Sequence, residues 1–274
     1  SLHDALPIYI GGLTVGGFNN YKAMCTSVLM PGVQHMRHTL LPEHKFIKGQ
    51  PDTGVELADD LELIANKFEG EIAACIIEPI AGSTGVLVPP KGYLNKLRKI
   101  CDKHGILLIF DEVITGWGRT GSPFAAQEFN VTPDIMTLAK ATTNGVVPMG
   151  VVAVRDGIYE AVMDSAPEGA IELFHGYTYS GIPAAVAAAL AVQDIFEKEN
   201  IFNKVREISP YFQEALHSLK DLECIENIRS YGLLGGIDIK KKDKPGKAGL
   251  QVYKACYENG VNLKATGDAL VLAP

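Results

Sequence analysis

Two residues in this chain are of types that could do covalent chemistry if delivered to one place: Asp111 and Lys140. Asp111, with Glu112 beside it, closes the apolar run Ile106–Phe110, and Lys140 closes a second run, Ile135–Ala139. Runs of that kind read as strands buried on both faces of a parallel sheet. Ligands of open α/β sheets bind outside the carboxyl ends of the strands, so an acid and a lysine delivered there face one ligand. Taken singly, a lysine after a strand reads as a solvated surface residue and an aspartate as a helix N-cap. ILLIFDE also has the form of a strand that presents a magnesium-binding acid in nucleotide hydrolases, but that reading needs a GxxxxGK[ST] phosphate loop, which the sequence lacks. Pyridoxal phosphate explains the pair better. A lysine can condense with the cofactor's aldehyde, and an acid can hold the pyridine nitrogen protonated so that the ring accepts electrons.

A third acid, Glu78, follows the apolar run Ile72–Ile77 and belongs at the same sheet edge; it reads equally well as a hydrogen-bonding loop residue. Val113, two residues beyond Asp111, points to the same side if the strand continues, and otherwise reads as a core valine.

These residues need a scaffold, and the remaining pattern supplies one. Apolar positions at helical spacing predict helices over Glu56–Phe68 and over Pro90–His104, the latter with proline at its start. The strand–helix–strand alternation continues through Gly150–Arg155 and predicts a parallel or mixed α/β sheet. Tyr177–Ile195 passes from a glycine-broken loop into an alanine-rich helix whose small side chains permit close helix contacts. Beyond Phe196, Ile201–Leu219 is amphipathic, Ile225–Arg229, Leu233–Ile239 and Leu270–Ala273 read as strands, and Gln251–Glu258 as a helix. The lysine run Lys240–Lys247 reads as a solvated hairpin tip, because no aromatics interleave with it. Earlier in the chain, the glycine-rich stretch Tyr9–Phe18 lacks the GxGxxG order and reads as a turn or loop. His35, His38 and His44 fall in a segment full of breakers, where a metal site is disfavoured. Ser1–Ile8 has no period of either kind and is set aside as a non-native leader.

Composition narrows the partners. The net charge of −7 and pI near 5.5 give no electrostatic case for nucleic acid or anionic membrane and leave small molecules as the natural ligands. No apolar run approaches the roughly 20 residues of a membrane helix. The five cysteines are scattered without CxxC spacing, which argues against a disulfide framework or a zinc site and fits a reducing cytoplasm.

DEVITGWGRTG, the strand end TLAK and the following TNGVVPMG resemble the signature of class III pyridoxal phosphate aminotransferases. EPIAGSTGVLVPPKGYL, APEGAIELFHGYTYSG and the late TGD resemble, more narrowly, the ω-amino acid (β-alanine): pyruvate aminotransferases. The resemblance runs from about Tyr9 to Pro274 and implies an α/β chain of PLP-dependent transferase fold type I. Residues 9–196 would be the C-terminal part of a large cofactor-binding domain with a mostly parallel, helix-covered sheet, and residues 197–274 an incomplete small α+β domain. It implies that Lys140 anchors the cofactor and serves as the base, and that Asp111 pairs with the pyridine nitrogen. Val113 would pack on the ring, and Glu78 would orient the carboxylates. Tyr177 and Thr178 would contact the phosphate across a homodimer interface, with Thr178 the donor. Three positions depart from the pattern. Lys264 stands where an arginine usually grips the substrate carboxylate, Ile182 replaces a histidine, and Ala141 replaces a glycine. The family's glycine-serine phosphate loop and its ring-stacking aromatic precede the region matched here, which predicts weak cofactor binding by these residues alone. The implied activity is cytoplasmic amino transfer from an ω-amino acid or amine, such as β-alanine, to pyruvate. The alternatives are another class III chemistry or a catalytically incomplete chain.

Overall fold

The computed structural model describes residues 10–17, 22–23, 26–173, 176–241 and 244–274. The leader Ser1–Ile8, Cys25 and the Lys242–Asp243 part of the lysine run lie outside the described residues. The glycine-rich stretch departs from the expected turn: Ile10–Val15 forms a helix, α1. Each glycine costs a helix about 1 kcal/mol, and tertiary contacts offset that cost. Leu13 is buried, and Thr14 Oγ1 accepts the Met30 N–H at 3.0 Å.

The helix expected over Glu56–Phe68 divides into a 3-10 turn, Val55–Ala58, entered from Gly54 at φ 102°, and α2, Asp59–Lys67. Asp59, Asp60 and Glu62 in its first turn and Lys67 in its last complement the helix dipole. β1, Ala74–Ile77, follows. α3 spans Tyr93–His104 and starts not at Pro90 but after Gly92, whose φ of 78° turns the chain into the helix. It stops at Gly105, φ 66°, where the Ile106 N–H returns to Cys101 O at 2.9 Å. That bond is a Schellman closure, which only a residue at ease in the left-handed region ends well.

The chain then lays down β2, Leu107–Asp111, the short helix α4, Ala125–Glu128, β3, Ile135–Leu138, and β4, Val151–Val154. The sheet order is β1-β2-β3-β4. β1 and β3 run parallel to β2, and β4 is antiparallel to β3. The parallel register sets Asp111 beside Thr137.

The sheet is the expected mixed, mostly parallel one, and among the described residues its helix cover lies on one face. One face carries Cys75, Leu108 and Phe110 into a core with Leu57, Leu61, Tyr93, Leu97 and Val131. The other carries Ile76, Leu107, Val152 and Val154, exposed by 41%, 37%, 66% and 41%. Alternation puts Asp111 and Thr137 on this second, open face.

α5, Asp156–Asp164, and α6, Pro183–Lys198, follow. α6 begins on its proline, whose fixed φ and missing N–H suit a first helical position, and continues past Phe196 to Lys198. Ala185 and Ala189 make its close contacts, while Leu190 remains 59% exposed, so one alanine stripe packs and the opposite face does not. After α7, Ile201–His217, the chain builds β5, Ile225–Tyr231, β6, Leu234–Ile239, α8, Lys247–Glu258, β7, Lys264–Thr266, and β8, Ala269–Leu272. These strands form an antiparallel sheet in the order β5-β6-β8-β7. The lysine run is therefore not a hairpin tip: it leads from β6 into α8, and Lys247 is the first residue of that helix. Hairpins join β5 to β6 and β7 to β8, and in the second Asp268 accepts the Gly246 and Gly249 N–H groups at 2.8 and 3.1 Å and caps α8.

The two sheets are fastened at the end of the first that carries Glu78. The buried Arg229 of β5 donates to Gly85 O at 3.0 and 2.7 Å and to Asp238 at 2.7 Å. Thr266 Oγ1 donates to Ser83 O at 2.9 Å, and Tyr231 to Glu128 at 2.7 Å.

Candidate active site

Asp111 is the last residue of β2. Its Oδ1 accepts the Val113 N–H at 3.1 Å and the Thr137 hydroxyl at 3.3 Å. The first bond shows that the chain has already turned, so the strand alternation that would have aimed Val113 beside Asp111 ends one residue too soon. Val113 is a half-buried turn residue whose backbone braces the carboxylate. Among the described residues no hydrogen bond takes up Asp111 Oδ2.

Lys140 follows one residue after β3 and opens a short 3-10 turn, Lys140–Thr142. Its φ is +50°, a region costly for a residue with a side chain. The turn is held from both sides. Thr142 Oγ1 donates to Ala139 O at 3.0 Å and receives the Trp117 Nε1–H at 3.0 Å. Trp117, itself at φ +63°, stacks on Phe196 of α6 with ring centroids 5.9 Å apart and meets Phe124 edge-on at 5.2 Å. Lys140 presents surface to solvent, yet enough protein surrounds its amine for burial to bring its pKa down to about 8. Asp111 and Glu78 pull it back up, and Lys264 and Arg119 push it further down. Among the described residues no carboxylate forms an ion pair with this amine.

Glu78 follows β1 directly. Its Oε2 accepts the Gly82 N–H at 3.0 Å, and loss of solvation pushes its pKa up to about 7. The Gly82 bond, Lys140 and Lys264 work against that rise, while the charge of Asp111 adds to it. The residue as a whole is partly exposed, so its carboxylate is crowded by protein on one side and open on the other. Gly82 has no room for a side chain: a Cβ there would lie 2.7 Å from Ile114.

The structure thus gathers Lys140, Asp111, Glu78 and Lys264 into one set of mutually felt charges at the carboxyl ends of β1–β3. Tyr177 and Thr178 are placed elsewhere, in an exposed turn before α6. Tyr177 N–H donates to Ser180 Oγ at 3.2 Å, and the tyrosine is 57% exposed. Ile182 is the N-cap of α6 and Ala141 lies within the turn at Lys140. Glu112, adjacent to Asp111, is structural: fully buried, it accepts the Thr115 hydroxyl at 2.9 Å and the Ala125 and Ala126 N–H groups at 2.8 Å, capping α4.

Arg119 belongs to the site and was not legible in advance. It sits in a loop with Gly118 and Gly121 at φ 99° and 94°, and its charge helps to lower the pKa of the Lys140 amine. The glycine spacing of GWGRTG signals a turn without saying where the arginine lands.

An amine that is neutral for part of the time, next to a carboxylate with one oxygen free, can make and break a bond to an aldehyde and hold a protonated ring nitrogen. Comparison with known proteins bears on this arrangement. The family model described as aminotransferase class-III matches residues 11–274. An omega-aminotransferase of Caulobacter vibrioides is 48% identical over 267 residues, 96% of this chain and 60% of that protein. An omega-amino acid–pyruvate aminotransferase of Pseudomonas putida is 44% identical over 97% of this chain and 60% of its own length. An omega transaminase from Pseudomonas jessenii, solved in complex with PMP, superimposes with a TM-score of 0.86 at 28% identity, over 97% of this chain and 60% of that one. The chain therefore spans about 60% of the length of the curated relatives it matches.

Proposed function

Because the chain belongs to the class-III aminotransferase family, whose cofactor is pyridoxal phosphate, we propose that it moves an amino group from an ω-amino acid or amine, such as β-alanine, to pyruvate. One observation carries the proposal. Among the described residues, a lysine amine with no ion pair, its pKa brought to about 8, stands one strand away from a carboxylate with one oxygen free of hydrogen bonds. The two groups match the two ends of the cofactor's reactive axis, the aldehyde and the ring nitrogen. Bound there, the cofactor would supply an electron sink for the carbon that loses its proton.

The chain's residues do the rest. Lys140 Nζ, in its neutral form, would hold the cofactor through its aldehyde, a condensation that releases water. The same Nζ, when free, would serve as the base that holds and moves the proton of the carbon bearing the amino group. Asp111 keeps its negative charge against the ring nitrogen, and Thr137 and the Val113 N–H hold it in place. Glu78 adds negative charge near Lys140, and Lys264 would offer a charge to the substrate carboxylate. The exposed Tyr177 and Thr178 would serve the phosphate in a second copy of the chain, so that a homodimer completes two sites. Residues 9–196 would carry the cofactor and residues 197–274 the smaller domain that closes over the substrate end. No described helix is long and apolar enough to cross a membrane, and a cytoplasmic location suits small amine and oxo-acid substrates.

The test is direct. Purified protein is mixed with pyridoxal phosphate, reduced with borohydride and mapped by peptide. A new visible band with the label on Lys140 is the expected result. Label spread over surface lysines, with no amino transfer to pyruvate from a panel of donors, would remove the proposal.

A further inference from the structure

The turn at Lys140 is braced from as far away as α7. Thr142 Oγ1, which closes that turn on Ala139 O, takes the Trp117 Nε1–H at 3.0 Å. Behind Trp117 the stacking continues. Trp117 lies on Phe196 of α6 with ring centroids 5.9 Å apart, and Phe196 meets Phe202 of α7 at 5.5 Å, tilted by 35°. Phe202 reaches the same loop a second time. A Cβ at Gly118, next to Trp117, would lie 3.0 and 3.2 Å from two carbons of its ring, and one at Gly121 would lie 2.7 Å from Arg206 Cγ, one helical turn further along α7. The start of α7 therefore rests on the backbone of the GWGRTG loop, at two positions where only glycine leaves room.

The corner between α6 and α7 fixes this arrangement. Asn200 turns the chain at φ 52°, its O accepts the Lys204 N–H at 3.2 Å, and its Oδ1 accepts the Asn203 side-chain amide at 2.7 Å. Phe196 and Phe202 thus come from opposite sides of one tight corner, and from opposite sides of the division proposed above between residues 9–196 and 197–274. At its other end α7 is built into the second sheet: Leu216 belongs to that sheet's core, and His217 Nε2 lies 3.1 Å from Ser230 Oγ of β5. One helix ties the second sheet to the turn that carries the reactive amine. A lysine at φ +50° keeps that conformation only where its surroundings hold it. Its clamp, Trp117, depends in turn on the rings packed against it, and a void in place of Phe202 would free both Phe196 and the loop at Gly118.

We propose that Phe202 is a positioning residue for Lys140, acting from the smaller part of the chain through Phe196, Trp117 and Thr142. The inference rests on the reading of Lys140 as the reactive amine, and it adds that the seat of α7 sets where that amine stands. With Phe202 truncated, the turn relaxes, the amine gains water, and it loses part of the burial that favours its neutral form.

Acetic anhydride acylates neutral amines, so trace labelling of the intact chain across a range of pH, read at Lys140 by peptide mass spectrometry, follows this amine without any cofactor. The labelling midpoint should rise from about 8 in the parent to about 9 in Phe202→Ala, and labelling at pH 8 should fall about 5-fold. Trp117 is the chain's single tryptophan, and its emission should shift to the red in the same variant. Phe202→Tyr, which keeps the ring, should leave both readouts at their parent values. Tyr253→Ala, which removes a ring of α8 packed on the core of the second sheet, should lower the urea midpoint and also leave both readouts unmoved. Should Phe202→Ala fail to fold, Phe202→Leu, which keeps bulk and loses the stacking, takes its place with the same expectations. An unchanged Lys140 midpoint, a rise without any change at Trp117, or an equal rise in Tyr253→Ala overturns the proposal. A Phe202-dependent midpoint in a chain that, supplied with pyridoxal phosphate, moves no amino group to pyruvate would overturn the transaminase reading and leave the positioning role standing.

Discussion

Lys140 adopts a left-handed backbone conformation at a cost of about 1–3 kcal/mol, and the Trp117–Thr142 bond and the Thr142–Ala139 bond hold it there. The charge of Asp111 is felt at its amine and raises its pKa against the effect of burial. The lysine and the acid were legible in the sequence because each ends an apolar run, and a strand end has only one place to go in a parallel sheet. Val113 and Arg119 were not, because the chain turns immediately after Asp111 and turn geometry is invisible to alternation. With a pKa of about 8, Lys140 is mostly charged at neutral pH and becomes a nucleophile as the pH rises. The rate of cofactor attachment, followed by stopped-flow absorbance, should climb through about pH 8 and level off above it. Lys140→Ala should abolish the reducible label, and Asp111→Asn should retain the label while lowering turnover by at least about 100-fold. Glu78→Gln removes a negative charge that raises the Lys140 pKa, so the midpoint of the attachment profile should move below that of the parent. The same variant bears on stability. Glu78 binds its proton more tightly in the fold, with a pKa of about 7, so the native state loses relative stability as the pH rises from about 5 to about 8. Melting curves across that window should flatten in Glu78→Gln.

At the level of elements, most of the expected helices and strands formed where apolar periodicity placed them, and both ends of α3 followed glycine. α3 begins after Gly92 and ends at Gly105, which the sequence signals through Gly-specific backbone geometry more clearly than through Pro90. The lysine run misled because charge marks solvent exposure without distinguishing a hairpin from a strand–helix connection. The alanine-rich α6 misled in part because alanine permits close packing on any face and selects none. The loop Gly82–Leu87, with Val86 at φ +58°, is held by Arg229 of the second sheet. Arg229→Met should strand the Gly85 carbonyl and the Asp238 carboxylate and cost about 3 kcal/mol in urea unfolding, with slower cofactor attachment because the Glu78 loop loosens. Thr142→Val removes the acceptor for Trp117 Nε1 and should cost about 1–2 kcal/mol, with a red shift of tryptophan emission as the check.

Across the described residues, strand–helix–strand alternation pointed to the α/β sheet, and it could not reveal that one sheet face would be exposed. Ile76, Leu107, Val152 and Val154 make that face apolar, and contiguous exposed apolar surface drives association. Light scattering should show concentration-dependent self-association, reduced in a Val152→Thr, Val154→Thr double variant that retains the parent's far-ultraviolet circular dichroism. The fastening of the two sheets also reaches back to the beginning of the chain. Phe46 N–H donates to Asn227 Oδ1, and Lys45 pairs with Glu226, each across 181 residues; Gly49 N–H donates to Ser230 O. On a ribosome adding about 5–20 residues per second, the segment around Phe46 would wait roughly 10–40 s for its partners to be made. Until then its polar groups would remain unsatisfied, and the loop that carries Glu78 would lack the arginine that closes it. Synthesis rate and chaperone supply during that interval, more than the stability of the finished fold, would then set the yield of native protein.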